Sequence, residues 1–209
     1  MRLTRATLIW AALAAAVCVP IAVAAASLLL AWRDPVYIAA GFAGVIALGL
    51  LLVQPMLIGG YLPGLSAHRA RRAHRWIGGV LVVAVMIHVG GLWITSPPDV
   101  IDALSFASPT PFSAWGVTAM WAIFAVALLA ALRRRLGPRA WRIAHMLLAV
   151  VVVVGSVAHG ILIEGTMGTV SKAALCALVL AATIKVMAGL RVWRKGGTLR
   201  GESIARQLD

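Results

Sequence analysis

The sequence predicts an all-α protein, a bundle of six transmembrane helices with both termini in the cytoplasm. Three observations point there. Of its 209 residues 62% are hydrophobic and only 12% are charged, where ordinary globular chains are about half apolar and a quarter charged. Six apolar stretches each approach the roughly 20 residues that a helix needs to cross a hydrocarbon core. The basic residues fall in alternate connections, as they do when Lys and Arg are retained in cytoplasmic loops.

The first stretch runs from about Ala6 to Trp32, contains Pro20 and follows the basic Arg2 and Arg5. With the small residues Ala22 to Ser27 near its end it has some features of a secretory signal. Its apolar run is longer than a signal needs, so residues 1–35 are expected to be an uncleaved anchor helix. The second stretch covers about Val36 to Gly59, the third His74 to Ile94, the fourth Phe112 to Leu132, the fifth Trp141 to Ile163 and the sixth Ser171 to Val192. Residues 36–194 read as one transmembrane domain and 195–209 as a polar, basic and mobile cytoplasmic tail. The one sizeable outer connection, Thr95 to Ser113, holds four prolines around an apolar centre and should contain a short interfacial helix.

Charge sets the orientation. Arg69, Arg71, Arg72 and Arg75 separate the second and third spans; Arg133, Arg134, Arg135, Arg139 and Arg142 separate the fourth and fifth; Arg191, Arg194, Lys195, Arg200 and Arg206 follow the sixth. The other connections carry only Arg33 and Lys172 as bases, with Asp34, Asp99, Asp102 and Glu164. The net charge of +13 therefore belongs to cytoplasmic loops, and a nucleic-acid partner is not expected, since such binders cluster their bases on a soluble module. The location implied is a plasma membrane, the inner membrane of a bacterium. Cys18 and Cys176 lie far apart in apolar runs, without metal-ligand spacing, and read as small buried hydrophobes.

Four of the five histidines repeat a spacing: His74 to His88 and His145 to His159, 14 residues each. Fourteen residues rise about 21 Å along a helix and return to within about 40° of the same face. The third and fifth spans run in the same direction, so His74 lies level with His145 and His88 with His159. Imidazoles facing each other across an apolar bundle suit the iron of a b-type haem, whose flat apolar ring fits such a core. Both axial positions would then be filled, which favours electron transfer over oxygen activation. Gly78, Gly79, Gly90, Gly91 and Gly160 near these histidines would let a macrocycle, or equally a neighbouring helix, come close. Arg75 and Arg142 could pair with propionates of the inner haem, although both also serve as positive-inside anchors. His68 fits neither pair and is expected to be a solvated loop residue.

The two histidine pairs, His74-x13-His88 and His145-x13-His159, resemble the ferric reductase-like transmembrane domain. That family includes ferric reductases, NADPH oxidases and, in shorter form, the haem subunit of the bacterial methionine sulfoxide reductase system. The resemblance spans roughly Val36 to Val192. It implies six helices and two b haems passing electrons outward, with His74 and His145 on the inner haem and His88 and His159 on the outer one. The larger members carry a flavin and NADPH domain. No GxGxxG fingerprint follows a strand signal in this chain, so the expected electron donor is a separate cytoplasmic flavoprotein, with its flavin supplied by that partner, or a membrane quinol; an acceptor is expected at the outer face. Two other readings share the histidines. One is a quinol-linked cytochrome b anchor of a periplasmic oxidoreductase. The other is a non-redox transporter using histidine for protons or metal ions, against which stands the lack of Asp and Glu in the spans.

Overall fold

The computed structural model describes residues 2–205, and among them there is helix and no strand. Seven α-helices follow in order: α1 (Arg2–Ala25), α2 (Pro35–Ile58), α3 (Ala67–Thr95), α4 (Pro97–Leu104), α5 (Pro111–Ala131), α6 (Pro138–Leu162) and α7 (Thr169–Ala205). Six of them, all but the short α4, are long and apolar enough to cross a membrane. Six crossings return a chain to the side on which it began.

Local chemistry explains where helices start. Proline stands at the first turn of α2, α4, α5 and α6, where its fixed φ suits the helix and its missing N–H costs nothing. Asp34 Oδ1 accepts from the Val36 amide at 2.7 Å to cap α2, and Ser66 Oγ accepts from the Arg69 amide at 3.4 Å to cap α3, each satisfying a donor the helix cannot. The turn between α2 and α3 uses Gly60 at φ 68° and Gly64 at φ 80°, a region open to glycine and strained for other residues.

Some boundaries differ from those the sequence suggests. Helix α3 begins at Ala67, two turns before His74, so His68 and the arginine block are helical; His68 is exposed on its first turn. Helix α7 likewise continues past Val192 to Ala205, and residues 206–209 lie outside the described residues. Hydropathy marks where a helix leaves the apolar layer, whereas the start of α3 extends through Ala67 to Ala73, a run rich in the good helix formers Ala and Arg. Helix α1 stops at Ala25, short of Trp32, and a 3-10 turn at Leu28–Leu30 leads to α2. The outer connection does contain a short helix, α4.

Packing closes five helices into a ring. α2 pairs with α3, α3 meets α5, α5 pairs with α6, α6 meets α7 and α7 returns to α2; α1 lies outside against α2 and α7. The core runs through Leu48, Leu51 and Leu52 of α2 and Leu175, Cys176 and Val179 of α7. Large apolar side chains such as Trp76, Met86 and Leu128 point outward and are exposed, as a lipid-facing surface requires. Cys18 belongs to that surface, contrary to its expected burial; Cys176 is enclosed. α3 and α6 share no pairing like those of the ring neighbours among the described residues. They stand on either side of α5, and the four histidines project between them.

Candidate cofactor site: two histidine pairs

His74 and His145 face each other with ring centroids 6.2 Å apart and planes at 71°. His88 and His159 do the same at 6.3 Å and 77°. The 14-residue repeat on two same-direction helices therefore brings together the pairs that the sequence suggested. The first pair lies toward the end of the bundle that carries the arginine-rich connections, called here the basic end. The second lies toward the far end.

Each pair rests on a helical hairpin, α2 with α3 and α5 with α6. His88 Nδ1 donates to the carbonyl oxygen of Ala40 at 2.8 Å, and His159 Nδ1 donates to that of Phe112 at 2.8 Å. A carbonyl can only accept, so Nδ1 carries the hydrogen and Nε2 keeps its lone pair for the space between the rings. Both acceptors are helical carbonyls, already turned toward the amide four residues on, where glycine stands in each case. A Cβ on Gly44 would come within 2.9 Å of His88 Nδ1, and one on Gly116 within 2.6 Å of His159 Nδ1. Glycine at these positions exposes the carbonyl and admits the ring. The edge of the Phe112 ring meets His159, centroids 5.8 Å apart.

The basic-end pair has a different setting. In the register that sets His88 against Ala40, His74 falls level with Gln54, whose Nε2 donates to the His74 carbonyl at 3.3 Å. The equivalent level for His145 is Val126. Ile58 and Ala130 stand four residues beyond, where the far end has Gly44 and Gly116. Among the described residues, Nδ1 of His74 and of His145 is buried with no hydrogen-bond partner, as are Gln54 Oε1 and Trp141 Nε1. Trp141 stacks on His145, centroids 5.2 Å apart and planes at 15°, and the Arg133 guanidinium lies over the indole at 5.5 Å. Arg75, Arg133 and Arg134 line a cavity of about 340 Å³ with Ala130 and Ala131. Arg142 is not among them. It is exposed, and its Nε turns back to the Pro138 carbonyl at 3.2 Å.

The glycines expected near the histidines divide by role. A Cβ on Gly91 would collide with Ala40 Cβ at 2.7 Å, and Gly160 faces Cys176 and Leu48, so both serve helix packing; Gly79 and Gly90 have nothing within 4 Å. Gly44, Gly116 and Gln54 escaped the sequence reading, yet each left a signal. Gly44 precedes His88 by 44 residues and Gly116 precedes His159 by 43, and Gln54 is the lone amide side chain in α2.

Among the described residues no three His, Cys, Asp or Glu side chains gather where they could hold a bare ion. Each level offers two nitrogens, and two protein ligands suit an iron whose other four positions are filled by a porphyrin. Two metal–nitrogen bonds of about 2 Å, with half an imidazole beyond each, put the centroids of a bis-histidine site about 6 Å apart. Both pairs meet that distance, so the residues present fit haem at both levels.

A multi-pass helical membrane protein with facing histidines at two levels is the class that this fold and site define. The family profile described as the ferric reductase like transmembrane component matches residues 40–156. That is more than half of the chain, and the chain belongs to this family. The match takes in His74, His88 and His145 and stops three residues short of His159. No curated protein and no solved structure matches the chain.

Proposed function

We propose that this chain conducts electrons across a bilayer on two b-type haems, one held by His74 and His145 and the other by His88 and His159. The observation that carries the reading is the pair of ring separations, 6.2 and 6.3 Å, on two helices that are not close-packed neighbours among the described residues. When bound, each haem would supply one-electron reduction and reoxidation between the two histidines that hold it.

The chain's own residues do the rest. The Ala40 and Phe112 carbonyls hold the far imidazoles in one tautomer and one orientation. The ring of apolar helices keeps water from the path and lowers the local dielectric. At the basic end, Arg75, Arg133 and Arg134 offer planar, fully charged donors to carboxylates; they are better placed for haem propionates than Arg142. The arginine-rich connections favour a cytoplasmic location for that end, and for both termini with it. Electrons then enter there from a separate flavoprotein, or from quinol, and leave to an acceptor at the far face.

The test is an optical redox titration of protein purified after haem-supplemented expression. Two b-type haems per chain, each reducible, is the expected result; a colourless protein overturns the reading. Reduction by NADPH with a flavin reductase, compared with reduction by quinol in proteoliposomes, identifies the donor.

A further inference from the structure

Lys172 sits on the first turn of α7 and reads in the sequence as an outer-loop base. In the fold only 8% of it is exposed. Its Nζ donates to the carbonyl oxygens of Ile161 at 3.1 Å and Ile163 at 2.7 Å. These oxygens end α6, where no further amide of the helix can reach them and where the helix dipole favours a cation. One turn deeper on α7, Cys176 Sγ lies 3.6 Å from the position of a Cβ on Gly160, which locks α7 against the residue next to His159. The two carbonyls that Lys172 grips lie two and four residues beyond that histidine, about 3 and 6 Å along the helix axis. Both hydrogen bonds go to neutral oxygens, so neither cancels the charge. The arginines of the basic end, Arg75, Arg133 and Arg134, are exposed by contrast, and solvent and salt screen them far more than a buried group.

We infer that Lys172 is a fixed positive charge that raises the reduction potential of the haem between His88 and His159 above that of the haem between His74 and His145. The inference rests on the two-haem reading. The transfer it biases moves one electron: the basic-end iron is oxidised from ferrous to ferric, the far iron is reduced from ferric to ferrous, and no proton or bond changes hands. At an intermediate dielectric, a unit charge about 10 Å from an iron favours the reduced state by about tenfold or more. Tenfold is about 59 mV for a one-electron couple. The buried lysine thus makes outward transfer downhill.

The test is a spectroelectrochemical titration of the haem-loaded full chain in nanodiscs, comparing wild type with Lys172→Gln, Lys172→Met and Lys172→Arg. Gln keeps donors for the two carbonyls without the charge, Met removes both, and Arg keeps the charge. The expected result is a reduction equilibrium of the higher-potential haem about tenfold less favourable in Gln and Met, near wild type in Arg, with the lower-potential haem unmoved throughout. Unmoved potentials in haem-bearing Gln and Met variants overturn the role of Lys172 and leave the two-haem reading intact. Equal shifts of both haems, or an Arg variant that behaves like Met, overturn it as well. If Gln and Met fail to fold while Arg folds, Lys172 is a helix cap alone and the electrostatic role is overturned. A wild-type protein without haem overturns the two-haem reading and this inference together.

Discussion

The two histidine pairs share a spacing, a separation and a pair of helices, yet they are built differently. At the far end each Nδ1 is tied to a backbone carbonyl at 2.8 Å, and a glycine clears the approach. At the basic end neither Nδ1 has a hydrogen-bond partner among the described residues, and a glutamine oxygen and an indole N–H are buried beside them in the same condition. The cause lies in the partner helix. Gly44 and Gly116 leave the Ala40 and Phe112 carbonyls open to the imidazoles, whereas the corresponding positions at the basic end are Ile58 and Ala130. The far site is thus oriented by the backbone, which cannot change rotamer. The basic-end site is shaped by side chains: the Trp141 stack on His145 and the Gln54 amide beside His74. Equal ligand geometry does not mean equal preorganisation, and the far pair should hold its haem in the more rigid setting.

Substitutions can break this contrast. The largest effect is expected from His88→Ala or His159→Ala, either of which should leave one haem per chain in a pyridine haemochrome assay, with the remaining signal that of the basic-end haem. Equal loss of both haems from these variants would mean that the two levels are not independent. Next come Gly116→Ala and Gly44→Ala. The added Cβ must push the ring off its carbonyl, and loss of such an orienting bond typically lowers metal-site affinity about 10–100-fold. The effect should be confined to the far haem and be larger at Gly116, where the approach is closer. Haem titration of the apoprotein measures both. The smallest effect is expected from Trp141→Ala. Removing an aromatic stack of this kind costs about 0.5–1.5 kcal/mol, so affinity for the basic-end haem should fall by about tenfold at most while the far haem is untouched. A far haem that responds more than the basic-end haem to Trp141→Ala would reverse the assignment of the two sites.

Much of the candidate site was legible because it is written in short-range periodicity. A 14-residue interval is nearly four helical turns, so His74 and His88 had to share a face whatever surrounded them. The orienting partners were hidden because Ala40 and Phe112 act through backbone oxygen, which every residue has; only the similar Gly-to-His intervals, 44 and 43 residues, betray them. Arg75 and Arg142 looked equivalent in the sequence beside their histidines. In the fold Arg75 reaches the cavity, while Arg142 bonds back to its own helix.

The sequence by itself determined the number of crossings, the alternation of charge along the connections and the levels at which histidines stand, because each depends on hydropathy or helical pitch within one segment. Tertiary structure alone decided that α3 and α6 confront each other across α5, that two carbonyls are bared to receive imidazoles, and that Lys172 is buried at the end of α6 instead of standing in water. These depend on which helices become neighbours and at what register, and that is set by packing among side chains far apart in the chain.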